Sequence, residues 1–192
     1  LSQQPDGSYK VKITNVPAGT KNVHLVANAS DMKDSEAQDL QSLTAAKERD
    51  PQLDAPICWG EISIDKLLEA NTSVTMLRQC AKISLEIDKG IQNFTDAGLY
   101  VYNMATKAAI APAKYIEPKK TDDLTESTDL RKEDNPLGNG TATTVAVNET
   151  SAGKAMVIIK ANYKDSVGHD REGYYKVALY KNDKKAQYAL LR

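Results

Sequence analysis

The sequence holds little that does chemistry. It has two histidines, His24 and His169, two cysteines, Cys58 and Cys80, one tryptophan, Trp59, and one phenylalanine. Two cysteines without C-x-x-C spacing, beside two histidines, are too few for a zinc framework. The net charge of −1 gives no reason to expect nucleic acid or an anionic membrane as partner. No apolar run approaches the roughly 20 residues of a membrane helix. The sequence also lacks G-x-S-x-G, the Walker phosphate loop, G-x-G-x-x-G and H-E-x-x-H.

The remaining polar clusters are equally plain. His24 lies inside an apolar run and reads as a satisfied core or face histidine. His169 lies at a polar hairpin tip with Asp165, Ser166 and Asp170. Members of a catalytic triad usually come from separate elements, so neighbours on one loop do not make one. Asp122, Asp123 and Glu126, or Asp165 and Asp170, lack the spacing of a calcium loop and read as solvated charge. The expectation is a protein with no catalytic, metal or cofactor site. Cys58 and Cys80 leave two readings open. In an exported chain they form a disulfide worth about 3 kcal/mol; otherwise they are two small buried hydrophobes. Asn-x-Ser/Thr triplets start at Asn28, Asn71, Asn93, Asn139 and Asn148, and such triplets arise by chance in Asn- and Thr-rich β proteins.

What the chain does have is alternation. Its 41% hydrophobic and 27% charged residues are an ordinary globular mix, enough for one large or two small domains. Residues 8–14 place Tyr9, Val11 and Ile13 on one face, the period of a half-buried strand. Residues 22–27 are a short apolar run expected as a central strand. From Ala81 to Asp88 the alternation is unbroken, with Ile83, Leu85 and Ile87 opposite Lys82, Ser84 and Glu86. Further strands are expected over 99–104, 143–148 and 154–163, with Gly153 in a hairpin-like connection between the last two. A final pair is expected over 174–180 and 187–191. Helix is expected at 34–48, where Ala37, Leu40, Leu43 and Ala46 make a stripe, and as a short stretch over 64–70. Short strands at regular intervals point to a β-sandwich. Nine tyrosines suit pleated surfaces with one wet side, while Trp59 reads as a core anchor. The charged, Pro- and Gly-bearing stretch 114–140 reads as a linker or long loop between an N-terminal domain, 1–113, and a C-terminal one, 141–192.

Several segments, in order, resemble the Bacteroidales fimbrillins, the subunits of type V pili. Tyr9-Lys10-Val11 leads through Pro17-Ala18-Gly19-Thr20 to Val23-His24-Leu25-Val26-Ala27-Asn28-Ala29. Leu77-Arg78-Gln79-Cys80-Ala81-Lys82-Ile83 is similar to that family's "l-R-x-x-A-K-i" strand. Val101-Tyr102-Asn103 followed by Ile110-Ala111-Pro112 resembles the close of its first domain. Residues 157–163 with Gly173-Tyr174-Tyr175-Lys176-Val177 resemble strands of the second domain, and Leu190-Leu191-Arg192 resembles the start of a later one.

The resemblance implies two transthyretin-like, Greek-key β-sandwich domains, the second incomplete, with one or two short helices in the first. It implies export as a lipoprotein, a place in a fimbrium at the outer membrane, and other pilin subunits as partners through strand exchange. Family members carry a strand before the Tyr9 segment and more after the position of Arg192. With Leu1 first and Arg192 last, both ends are expected to be cuts, Arg192 marking a trypsin-like cleavage. The rival expectation is a surface carbohydrate-binding β-sandwich module, which requires exposed aromatic rings with Trp59 among them.

Overall fold

A computed structural model describes residues 2–30, 32, 40–70, 72–88, 90–91, 94–111, 130–131, 136–140, 142–150, 154–177, 180–181 and 186–187. The protein is mostly β, with several antiparallel sheets. In chain order the strands begin with β1 (Ser2–Gln3), β2 (Tyr9–Lys10) and β3 (Asn22–Ala27). Helix α1 (Leu40–Thr44), β4 (Lys47–Glu48), β5 (Cys58–Ser63) and α2 (Ile64–Leu67) follow. Next come β6 (Leu77–Arg78), β7 (Cys80–Glu86), β8 (Phe94–Tyr102), β9 (Met104–Ala105) and β10 (Lys107–Ala108). The rest are β11 (Leu130–Arg131), β12 (Gly138–Asn139), β13 (Ala142–Asn148), β14 (Met156–Lys164), β15 (Asp170–Val177), β16 (Tyr180–Lys181) and β17 (Ala186–Gln187).

The larger core lies between two layers. One is the four-stranded sheet β12-β8-β14-β15; the other is the pair β13-β7. The alternation of β7 sends Ala81 and Leu85 inward, where they meet Leu99, Val101, Met104, Val145, Val147 and Val157. Lys82, Ser84 and Glu86 stay exposed, and Ser84 meets its cross-strand partner Thr144 hydroxyl to hydroxyl at 3.1 Å. A second core gathers Leu43, Trp59, Ile110 and Ala111, with Val26, Met32, Ile57 and Leu77 packed around them. It is walled by the sheet β3-β5-β6. Gly60 in β5 is needed there for space, because a Cβ would lie 2.8 Å from Val74 and 2.9 Å from the sulfur of Met76.

The strand pairing differs from the sequence expectation in several places. β7 pairs with β13, and β8 with β14, so both sheets join residues before 114 to residues after 140. The pairing therefore has no boundary at 114–140. Residues 114–129 of that stretch lie outside the described residues. β13 and β14 are not a hairpin either: they belong to different layers, and β14 forms its hairpin with β15. Tyr180–Lys181 pairs with Ala186–Gln187, while residues 188–191 lie outside the described residues.

Helix α1 is shorter than its stripe. Residues 33–39 lie outside the described residues, and the helix ends at Thr44. The Leu43 carbonyl, which would accept the next turn's N–H, accepts from Ala111 N at 2.9 Å instead. The Thr44 hydroxyl also donates back to the Leu40 carbonyl at 3.0 Å. Lys47–Glu48 then pairs with Lys107–Ala108 as a strand.

β8 begins five residues earlier than alternation suggests, because it carries a bulge. Lys160 pairs with Gly98 but Asn162 with Thr95, so Asp96 and Ala97 together oppose Ala161. Asp96 takes a left-handed φ of 53° and accepts from Asn162 Nδ2 at 3.1 Å.

Candidate functional site

The residues singled out from sequence turn out to be structural. Trp59 is 2% exposed, and its indole N–H donates to His24 Nδ1 at 3.2 Å, with ring centroids 5.8 Å apart. It offers no face to a sugar, contrary to what the carbohydrate reading requires. Cys58 and Cys80 are both thiols. The Cys58 sulfur lies 3.4 Å from the Pro56 carbonyl and the Cys80 sulfur 3.7 Å from that of Gln52. Burial pushes the Cys58 thiol above its ordinary value, with Arg78 opposing the shift.

Asn148, at the start of one Asn-x-Thr triplet, is 1% exposed and closed to a glycan in the folded chain. Its amide donates to the carbonyls of Arg49 at 2.9 Å and Ala105 at 3.0 Å, tying the end of β13 to chain beside β4 and to β9. Asn28 donates to the Pro56 carbonyl, Asn139 is exposed, and Asn71 and Asn93 lie outside the described residues. So do Asp122, Asp123, Glu126 and Arg192.

The loop with His169 is a turn device. Asp165 accepts from the amides of Val167 at 3.1 Å and His169 at 2.9 Å through one oxygen, and from Arg171 Nε at 3.1 Å through the other. Asp170 pairs with Lys164 at 2.7 Å. Both carboxylates are engaged, and among the described residues no cluster suits a metal ion.

The His169 amide, followed by Arg171 and the Val167 amide, holds the Asp165 carboxyl below its ordinary value. A depressed carboxylate contributes stability above the unfolded value, which is lost as pH falls through the folded one. Asp165→Asn is therefore expected to lower the melting temperature modestly at pH 7. The gap to the parent should close as pH drops below the ordinary aspartate range. Melting curves of both proteins from pH 7 to pH 2 check this; a gap that stays constant with pH contradicts it.

The unusual surface is elsewhere, and the sheet register locates it. Across the four-stranded sheet, Val101, Val157 and Val177 stand side by side on the inner face, as do Leu99, Ile159 and Tyr175. Exposure rises along the first row from 0% at Val101 and 1% at Val157 to 37% at Val177. Along the second it rises from 1% at Leu99, through half-buried Ile159, to 47% at Tyr175. The covering layer stops short of β15. Gly138 of β12 lies against Thr143 and Val145 of β13, which fixes β13 beneath the β12 edge. β7 therefore lies on the side toward β14 and β15. Its only strand partner among the described residues is β13, apart from a single bond at its entry, Gln79 N to the Ile57 carbonyl at 2.8 Å.

Among the described residues the second layer therefore has no strand beside β7 and beneath β15. Phe94, Tyr163 and Tyr175 gather at the same end, with Phe94 and Tyr175 rings 5.6 Å apart and both tyrosines against Gly173. The Gly173-Tyr174-Tyr175 run is visible in the sequence, but which tyrosine faces inward follows only from the pairing.

Tyr100, Tyr102 and Tyr174 belong to the outer face of this sheet. Tyr100 and Tyr102 stack with centroids 6.2 Å apart, and Lys160 sits 5.6 Å above the Tyr174 ring while pairing with Glu172 at 2.6 Å. The Tyr174 hydroxyl bonds to Glu172 as well.

No protein-family model matches the chain, and no curated protein matches it.

Proposed function

We propose that this chain is a structural or tip subunit of a bacterial cell-surface fimbria, joined to its neighbours by strand exchange and without catalytic activity. The observation that carries the reading is an exposed apolar inner face, at Tyr175 and Val177, beside an edge of β7 that no described strand covers. A sheet edge with unpaired backbone groups and an uncovered apolar slot accepts an added strand, which brings both hydrogen bonds and alternate side chains. Donation from head to tail does not close on itself and so builds a fibre.

The resemblance to the fimbrillins supports the same reading. Its quoted segments include β3, β6 with the first half of β7, the end of β8, and much of β14 and β15, and they bring Ala81, Val101 and Val157 to the larger core. The finer features of that family belong to the proposal: transthyretin-like topology, two domains, passage through a lipoprotein precursor, and a place at the outer membrane.

Electron microscopy with gold-labelled antibody against this chain tests the proposal on the organism that encodes it. The expected result is label along or at the tips of surface fibres, with those fibres lost when the gene is deleted. Label confined to the cell interior, or fibres unchanged by the deletion, overturns it.

A further inference from the structure

Residues 8–14 are anomalous in the opposite sense to the slot. Their alternation is that of a half-buried strand, yet Tyr9 is 60% exposed and Val11 49%. The expected burial does not occur. The segment's only regular pairing among the described residues is of Tyr9–Lys10 with Ser2–Gln3, in a hairpin whose residues are nearly all exposed. A two-stranded ribbon alone in water is marginally stable, so this segment is readily available. Its alternation stops at Asn15, which takes a left-handed φ of 57°.

Resting on the strand-exchange reading above, we infer that residues 8–14 of a second copy of this chain fill the slot beside β7. The segment matches β7 in length. An antiparallel register with Lys10 opposite Glu86 sets Tyr9 beside Ile87, Val11 beside Leu85 and Ile13 beside Ile83. All three apolar side chains then face inward toward Ile159, Tyr175 and Val177. On the outward face Lys10 meets Glu86 and Lys12 meets Ser84, so charge and apolar pattern are both accommodated in this register. Supplied by the same copy, the segment would close a monomer; supplied by another, it leaves each subunit with one free segment and one free slot, which is the geometry of a fibre.

The test uses two double variants of the full chain. Val11→Asp with Ile13→Asp disables the donor, and Tyr175→Asp with Val177→Asp disables the slot. All four side chains are at least partly exposed, so thermal melts of both variants should stay close to the parent. Light scattering after size exclusion should show concentration-dependent assembly of the parent and monomers for each variant. Mixing the two variants should restore a one-to-one dimer and nothing larger, because only one donor and one slot remain. A labelled synthetic peptide of residues 8–16 should bind the donor variant and lose at least tenfold in affinity for the slot variant. Unchanged assembly of the donor variant, failure of the mixture to pair, a parent that is monomeric at every concentration, or equal peptide binding by both variants overturns the inference. If the peptide and mixing results hold while antibody labels no surface fibre, the docking stands and the fimbrial reading falls.

Discussion

Replacing Trp59 with alanine is expected to cost about 3–5 kcal/mol of folding stability, the range for deleting a large buried aromatic side chain. Trp59 is 2% exposed and forms the centre of the smaller core, with Leu43, Ile110 and Ala111 around it. The cavity left behind is bounded by a sheet on one side and by the chain around 109–111 on the other. Total stability for a domain is about 5–15 kcal/mol, so the loss takes a large share of it. Trp59→Phe keeps most of the apolar area and loses the hydrogen bond to His24, and should cost clearly less. Urea titration of the three proteins measures both differences. An alanine variant within about 1 kcal/mol of the parent would place the ring at the surface and revive the sugar-stacking role that burial now argues against.

Asn148→Ala is the second large effect. It removes the donor shared by the part-buried Arg49 carbonyl and the buried Ala105 carbonyl, and loss of the buried bond alone is expected to cost about 1–3 kcal/mol. Asn148→Asp is expected to be at least as damaging at neutral pH. It keeps the shape but turns a carboxylate toward two carbonyl oxygens in a site that is 1% exposed. The neighbouring Thr150 hydroxyl, which accepts from Ala105 N at 3.1 Å and donates to the Asn148 carbonyl at 3.2 Å, holds the same corner. Denaturant midpoints for the three chains decide the matter. Parity between Asn148→Ala and the parent would mean that water satisfies the two carbonyls, and that the corner is open.

How far the sequence is legible depends on whether a signal is local. β7 follows from its own alternation, because from Ala81 to Glu86 one face is covered and the other is wet. β3 and β13 follow from short apolar or β-branched runs in the same way. The first half of β8 is hidden by the bulge at Asp96, which moves later side chains to the other face. Residues 8–14 carry a clear strand period that the isolated chain leaves exposed; periodicity reports a face meant for burial, but not what buries it. Partner choice is not local at all. Gly153 suggests that β13 turns back on β14, whereas the hydroxyl pair Ser84–Thr144 joins residues 60 positions apart. The open slot is a property of that pairing. Tyr175 and Val177 look like ordinary strand residues until the register sets them beside Ile159 and Val157.

The long-range pairing of β7 with β13 also shapes how the protein acquires its structure. A chain that has emerged only as far as residue 113 holds β7 and β8 without β13 or β14, so neither layer of the larger core can be assembled. Closing loops of that span before any contact rewards them makes folding slow, on the millisecond-to-second scale of sandwich topologies. Until then the two strands travel as bare apolar edges. Whatever carries the nascent chain must shield them, and order in the larger core comes late rather than growing from the N-terminus.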